Sequence, residues 1–453
     1  MKSITSGIQK FSIISASFLA CVFTTSARAD IFHYNNVLVG ERAIGLGGAY
    51  TAVADDASGV YYNPAGIAFA QSNDISGSGN AYYKKSLSYE DVLGSQDYVE
   101  EASGTFAPFL GILNKLDRLL PGLVGAFAMY TSDTELLNQN DRWPVVGVAT
   151  STTQATALYG FHRTVQLRTS TSHMALAAGY RMSGRLSVGF GLRSTMVDEL
   201  SQDFQQSAAW TADIASQKIV KTVTQYNNNR SSLKATGVEP SFGAQMALGQ
   251  AFTVGISMRK GAFLSQEYTQ AADTLTVTKE DATEVTAATV PSATTETPSV
   301  ADTKVSNPLG SLPGEVRVGA AWFASPRLLV AGDLSYYDPA TNGKMSYFKR
   351  QAVLNYAIGT EYYVTPSIAV RAGGFTNRDS RPDLTKGKTG QTAHIDFVGG
   401  SLFLAYIQPN SQISVGAVMQ QGSGKSQKLA GSTGLEDVKG SLTTFGFAAT
   451  TSL

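Results

Sequence analysis

Cysteine is nearly absent: 453 residues hold one, Cys21, so no intramolecular disulfide can form and thiolate chemistry has a single candidate. Charge is sparse as well. Asp, Glu, Lys and Arg make up 15% of the chain, against roughly 25% in soluble domains. The 35 basic residues balance 35 acidic ones, which argues against a polycation made for nucleic acid. After residue 30 no apolar run approaches the ~18 residues that a spanning helix needs, and mean hydropathy is −0.05, so a helical membrane protein is excluded. The four histidines, His33, His162, His173 and His394, fall in no metal-ligand spacing, and neither a metal nor another cofactor is expected. What the chain has in excess is glycine, 44 residues, beside 20 Tyr and 21 Phe. That composition suits strands that face lipid on one side and a polar lumen on the other.

Residues 1–29 read as an export signal of bacterial type. Lys2 and Lys10 precede an apolar stretch from Phe11 to Phe23, and Ala27-Arg28-Ala29 is a small-x-small cleavage site. The mature chain is expected to begin at Asp30, with 32 basic and 35 acidic residues left once Lys2, Lys10 and Arg28 are removed. A lipoprotein alternative at Cys21 is fitted poorly by Phe18 and Leu19.

Residues 30–69 differ in texture from the rest. Gly40 to Tyr50 is rich in small residues, and Asp55-Asp56 offers an N-cap for a short helix that Asn63-Pro64 ends. Compact helical turns are expected there. From about residue 71 the period becomes two. Ala352, Leu354, Tyr356, Ile358 and Tyr362 alternate with Gln351, Asn355, Gly359 and Glu361, and Val316, Val318, Ala320 and Trp322 oppose Glu315 and Arg317. Connections fall into two classes. Tight turns occur at 183–185, 249–250, 325–327, 365–367 and 409–411, and long polar loops at 84–103, 133–163, 203–230, 271–312, 341–349, 377–392 and 423–436. The strands between them number fourteen. An even count, short turns at one end and long loops at the other give the layout of an outer-membrane barrel. A soluble sandwich or propeller predicts shorter strands without that asymmetry.

The fold class is therefore all-β: a 14-stranded antiparallel transmembrane β-barrel over residues 70–453, preceded by the compact helical turns of 30–69. Two loops stand out. Residues 271–312 carry ten threonines, six acidic residues and no aromatic, and are expected to form a long mobile extracellular loop. Residues 203–226 place Phe204, Ala208, Ile214, Ile219 and Val223 at roughly helical spacing, so a partly helical lid or rim segment is expected.

Catalytic motifs are thin. Gly45-Leu-Gly47-Gly48 lacks a preceding strand and has Tyr50 where a nucleotide loop needs glycine. No Gly-x-Ser-x-Gly elbow occurs. His173 with nearby serines is the one arrangement from which a barrel hydrolase is conceivable, and no enzymatic activity is expected.

The stretch Gly40-Glu-Arg-Ala-Ile-Gly-Leu-Gly-Gly-Ala-Tyr-Thr-Ala-Val-Ala-Asp-Asp-Ala-Ser-Gly-Val-Tyr-Tyr-Asn-Pro-Ala-Gly66 resembles the N-terminal hatch of the FadL/TodX family of outer-membrane transporters. Asn63-Pro64-Ala65 matches the family's hatch motif, together with Gly45, Gly47, Gly48 and Gly66. The resemblance implies a monomeric barrel in the bacterial outer membrane, its lumen plugged from the periplasmic side by an N-terminal helical hatch over residues 30–69. It would take up long-chain fatty acids or other hydrophobic small molecules by capture at the loops, binding in the lumen, and hatch-gated release sideways into outer-membrane lipid. For an acidic ligand, Arg193, Arg317 and Arg371 on the predicted inner face are candidate partners, competing with lumen acids such as Asp333 and Glu361. Arg42 pairs with Glu41 or the wall. The chain departs from the family in its Leu453 terminus and its Thr-rich loop. The PorV-like barrels, which shuttle secreted proteins, share the hatch pattern and supply the alternative reading, followed by a structural or adhesin barrel.

Overall fold

The computed structural model describes residues 30–452 apart from 93–96, 105–107, 144–146, 151–153, 217, 281–293 and 429–432; residues 1–29, expected to be an export signal, lie outside the described residues. Fourteen staves form one antiparallel barrel. In chain order they are β1 (Asp74–Tyr89), β2 (Tyr98–Gly104 and Phe109–Lys115), β3 (Leu123–Trp143), β4 (Gln154–Arg181), β5 (Leu186–Asp213), β6 (Lys218–Leu248), β7 (Phe252–Arg259 and Ala262–Glu280), β8 (Thr294–Ser306 and Glu315–Ser325), β9 (Leu328–Tyr337), β10 (Val353–Thr365), β11 (Ile368–Asn377), β12 (His394–Gln408), β13 (Ser411–Ser426) and β14 (Glu436–Ser452). A short strand, Gly147–Thr150, extends the sheet beside β4. Pairing of β1 with β14, from Asp74↔Ser452 to Tyr89↔Val438, closes the barrel.

Alternation fixes which side chains face out. Along β12, Phe397, Ser401, Phe403 and Ala405 are buried while Val398, Leu402, Leu404 and Tyr406 are exposed. The outward set recurs round the wall: Leu176 is 59% exposed, Ile358 62% and Val398 64%. No soluble protein shows water a continuous apolar belt of that extent, and closure removes every sheet edge. Both features define a transmembrane barrel.

The expected tight turns are all present, but the staves run further than alternation alone indicated. Residues 203–213 and 218–230, expected to be partly helical, are strand, paired on one side with β4 and on the other with β7. Their neighbours leave ladder groups that need partners, and that demand overrides a weak helical spacing. For the same reason 133–143 and 154–163 extend β3 and β4. In the Thr-rich segment, 271–280 and 294–306 pair as strands through Ala271↔Asp302 and Thr278↔Thr295; β-branched threonine favours the pleat. The intervening 281–293 lies outside the described residues.

Residues 41–69 fold as α1 (Glu41–Gly45), α2 (Gly59–Tyr62) and a 3₁₀ turn (Gly66–Phe69). The Asp56 carboxylate accepts the Ser58 amide at 2.8 Å just ahead of α2, and Asn63, extended before Pro64, ends it. Nearly all of this plug is buried: Leu46, Ala49, Tyr50, Ala54, Ala57 and Ile67 are 0% exposed. It crosses the lumen near the short-turn end.

Candidate functional site

The plug meets the wall backbone to backbone. Gly179, Gly189 and Gly243 lie opposite one another on β4, β5 and β6, and Gly255 faces Gly319 across β7 and β8. Gly359 faces Gly373 across β10 and β11. A Cβ on Gly189 would stand 2.3 Å from the Pro64 carbonyl carbon, and one on Gly243 2.1 Å from Asn63 Oδ1. On Gly359 it would stand 2.4 Å from the Leu46 oxygen, and on Gly373 2.3 Å from the Gly47 nitrogen. At these glycines the wall presents backbone, not side chains, to the hatch. On the hatch side, Gly47 and Gly48 adopt φ of 64° and 85°, the left-handed region that glycine enters freely. Gly66 leaves room for the Ala54 carbonyl, and Gly45 for the Arg371 stem.

Polar anchors fix the docked position. Asn63, 0% exposed, donates from Nδ2 to the Thr51 carbonyl at 2.9 Å and to Ala244 of β6 at 3.2 Å, and accepts the Ala65 amide at 3.1 Å. The motif asparagine therefore ties two hatch segments to each other and to the wall. Asp333 of β9 accepts the Tyr50 amide at 3.0 Å, the Thr51 amide at 2.9 Å and the Thr51 hydroxyl at 2.6 Å. Glu361 of β10 takes Arg42 at 2.8 Å and Arg371 at 2.6 Å, and Arg371 reaches Glu41 at 2.6 Å. Replacing Asn63 with alanine removes all three Asn63 bonds, at about 1–3 kcal/mol for each buried group left unpaired. The expected result is a hatch cut faster by protease from the short-turn side, while the barrel keeps its resistance to SDS unfolding.

The candidate arginines all point inward, and each is engaged. Arg193 meets Glu239 at 2.5 Å and donates to the Tyr130 hydroxyl at 3.3 Å. Arg317 pairs with Glu315 and lies over the Tyr61 ring at 4.9 Å. Arg371 is held as described. The three guanidiniums form ion pairs with Glu239, Glu315, Glu41 and Glu361; Asp333 instead holds the hatch backbone. Arg42 chooses the wall, through Glu361, with Asp55 at 3.1 Å.

His173 does meet a serine. Ser132 Oγ is 2.8 Å from its Nε2, and Nδ1 is 2.9 Å from Thr195 Oγ1, whose hydroxyl donates to Glu239. The carboxylate is committed to Arg193 and reaches the imidazole only through a hydroxyl. The chain of bonds orients lumen side chains.

Sequence reasoning missed a strap. Residues 30–39 leave the plug and run up the lumen toward the long loops. Phe32 packs in a cluster with Leu233, Tyr268, Leu309 and Phe348, and its carbonyl accepts Ser380 Oγ at 2.8 Å. Asn35 donates to the Thr376 carbonyl at 2.9 Å, and Asn36 Oδ1 accepts from Asn377 at 2.9 Å. His33 is held by Asp30 at 2.7 Å and the Ile395 carbonyl at 2.7 Å. Burial alone would push its pKa down, but the charges of Asp30 and Asp379 outweigh that and raise it. The paired aromatics Phe32 and Tyr34 and the Asn35-Asn36 amides were the available signal.

Two further features border the strap. One is a cavity of about 100 Å³ beside Tyr34, Val197, Phe263, Leu309 and Leu312. Into it faces Arg350, 5% exposed, with no carboxylate within 4 Å among the described residues. One Nη donates to the Ser311 carbonyl at 3.3 Å, and Nε makes no hydrogen bond. Burial pushes its guanidinium below the usual value, and the group stays charged.

The other is an interruption of the wall. β3 pairs with β2 from Lys115↔Val124 to Phe109↔Tyr130; beyond that, among the described residues, the Thr131 amide donates to the Pro108 carbonyl at 3.2 Å and the ladder resumes only at Ala102↔Leu137, with 105–107 outside the described residues. Side chains stand in for the ladder: Tyr83 OH accepts the Leu136 amide at 3.0 Å, and Gln139 bridges the Glu101 amide at 3.1 Å and the Val99 carbonyl. On the lumen side a cavity lined by Val37, Leu38, Val39, Ile44, Pro108 and Phe109 abuts this place.

A plugged, fourteen-stranded transmembrane barrel with a lumen strap is a defined architecture. The chain's fourteen-stranded barrel is similar in fold to solved structures of FadL and TodX proteins. A Pseudomonas aeruginosa FadL homologue matches at TM-score 0.56 and 10% identity over 93% of this chain and 99% of its own. The Pseudomonas putida toluene transporter TodX matches at TM-score 0.56 and 13% identity over 92% and 99%. The monoaromatic hydrocarbon channel CymD matches at TM-score 0.52 and 15% identity over 93% and 99%. These neighbours are channels and transporters, not enzymes. No family model matches the sequence, and no curated protein does.

Proposed function

We propose that the protein is an outer-membrane uptake channel for hydrophobic small molecules, exported by its cleaved signal and acting as a monomer, with long-chain fatty acids as its substrates. The observation that carries this reading is the pairing of a sealed plug with an apolar-lined break in the wall. A greasy molecule in the lumen faces a lower end filled by backbone and ion pairs. Beside the strap, it faces Val37, Val39 and Phe109 at the place where β2 and β3 part. Sideways exit into lipid avoids an aqueous transfer that costs about 0.8 kcal/mol per CH₂. A shift of the strap and hatch would widen that route, and the long hairpins above would make the first capture.

Arg350 supports the acidic substrate. A buried cation without a carboxylate, beside apolar side chains, matches an alkyl chain with an anionic head. A charge-assisted hydrogen bond is worth roughly 1.5–3 kcal/mol, so Arg350→Met is expected to weaken fatty-acid uptake by about tenfold or more while leaving a neutral hydrocarbon unaffected. The deciding experiment compares uptake of a labelled long-chain fatty acid by cells lacking their own carrier, with and without this protein, at matched surface expression. Restored uptake supports the reading. A folded barrel that restores none would defeat it and favour the protein-shuttle alternative.

A further inference from the structure

Three acids meet around the top of the strap: Asp30 itself, and Asp133 and Glu135 of β3. A bulge between Thr131 and Asp133 puts them there. Before it, Ala126, Ala128 and Tyr130 face the lumen; after it the parity changes and Asp133 and Leu137 are the buried residues. Under strict alternation from Tyr130, with no bulge, Asp133 would face lipid.

The cations nearby do not suffice. Lys85 of β1 lies 2.8 Å from Glu135 and 3.5 Å from Asp30, and His33 lies 2.7 Å from Asp30. From the loop after β11, Arg381 is taken by Asp379 at 2.5 Å. Asp133, 7% exposed, has no cation within 4 Å among the described residues. Its Oδ1 accepts Asn36 Nδ2 at 3.0 Å, and its Oδ2 makes no hydrogen bond. A buried carboxylate oxygen with no donor is destabilising and demands a partner. The same Asn36 Nδ2 reaches back to the Asp30 carbonyl at 3.4 Å. One amide thus brackets the Asp133 carboxylate and the Asp30 backbone, and both residues line the same small cavity.

We propose that Asp133 is the receptor for the chain's own α-ammonium, created when the export signal is removed before Asp30. The inference rests on that signal being cleaved there. Hydrolysis by a leader peptidase adds water across the Ala29–Asp30 amide. Ala29 leaves as a carboxylate, and the Asp30 nitrogen becomes an amine that takes up a proton. The new cation supplies the missing charge in the group formed by Asp30, His33, Lys85, Asp133 and Glu135. Processing thereby does more than release the chain: it pins the strap in the lumen, and the cavities on either side of the strap take their shape only in the mature protein.

The test uses the mature full-length protein folded in detergent. Intact mass first reports the terminus; a chain that begins elsewhere than Asp30 overturns the cleavage reading and the proposal with it. Competitive labelling with acetic anhydride then measures the α-amine against the same protein unfolded. In the folded protein, labelling is expected to be at least tenfold slower, with a pH midpoint above the ordinary ~7.7–8.0. Asp133→Asn, of the same shape, is expected to return the midpoint to that range or below it and to raise labelling at least tenfold at neutral pH. Glu135→Gln, whose partner is Lys85, is expected to change the rate less than twofold. Equal protection in wild type and Asp133→Asn would mean that burial alone shields the amine, and would overturn the proposal. Should Asp133→Asn fail to fold, the wild-type midpoint still decides: an unshifted value overturns it.

Discussion

Deleting residues 40–69 is expected to turn a barrel that carries no current into an ion-conducting pore in a planar bilayer. The argument is one of size. An eight-stranded barrel is filled by its own side chains, and porins of sixteen strands enclose an aqueous channel. Fourteen staves lie near the second case, and what fills the lower lumen here is the hatch and not wall side chains, because the wall opposite it is glycine. Removing the hatch exposes a polar ring, Asp333, Glu361 and Arg371, to water that can then cross. The barrel should still close, since the β1–β14 seam starts at Asp74 and involves no residue of the deletion. A hatch-deleted barrel that is folded and electrically silent would refute the plug assignment.

The second large effect is expected from Glu361→Ala. This carboxylate, with a side chain 1% exposed, holds Arg42 of the hatch and Arg371 of the wall at once. Breaking a buried pair by removing one partner costs about 3–5 kcal/mol, because the charge left behind is uncompensated. Here two guanidiniums are stranded close together. Asp55 still faces Arg42, and Glu41 still faces Arg371, which places the expected loss at the lower end, about 3 kcal/mol. That loss falls on docking of the plug, so undocked molecules should rise more than a hundredfold. Bursts of current in a bilayer and faster cleavage within residues 40–69 are the readouts. Glu361→Gln keeps hydrogen-bond acceptors and should lose less. A closed, protease-resistant Glu361→Ala barrel would show that the remaining anchors, Asn63 and Asp333 among them, hold the plug without Glu361.

The barrel was legible because its rule is local. Lipid outside and side chains inside impose period two on every stave, and Val316, Val318 and Trp322 record it without help from distant sequence. Above the membrane both faces are wet, the alternation fades, and residues 203–230 and 271–306 read as helix or loop although their neighbours draw them into the sheet. The hatch was legible as a motif, but its docking was not. Gly179, Gly189 and Gly243 become one stripe only once β4, β5 and β6 are in register. The site suffered most. Arg193, Arg317 and Arg371 were rightly placed inside, yet their partners follow from cross-strand register. Arg350 was overlooked because it belongs to a loop whose inward fold no periodicity announces.

The bare stripe on the wall also bears on how a plug of this kind could travel. Packed side chains interlock, and sliding one set past another requires each knob to climb out of its hole. A surface of backbone has no knobs. Any displacement of the hatch along Gly243, Gly255 and Gly359 would therefore be a shear with little steric resistance. Its barrier would come from discrete side-chain tethers, among them Asn63, Asp333, Glu361, Arg181 on the Ala68 carbonyl and Ser401 on the Gly45 carbonyl. Friction is low and the latches are single side chains, so the speed of such a gate would be adjustable at those residues without any change to the bearing on which it runs.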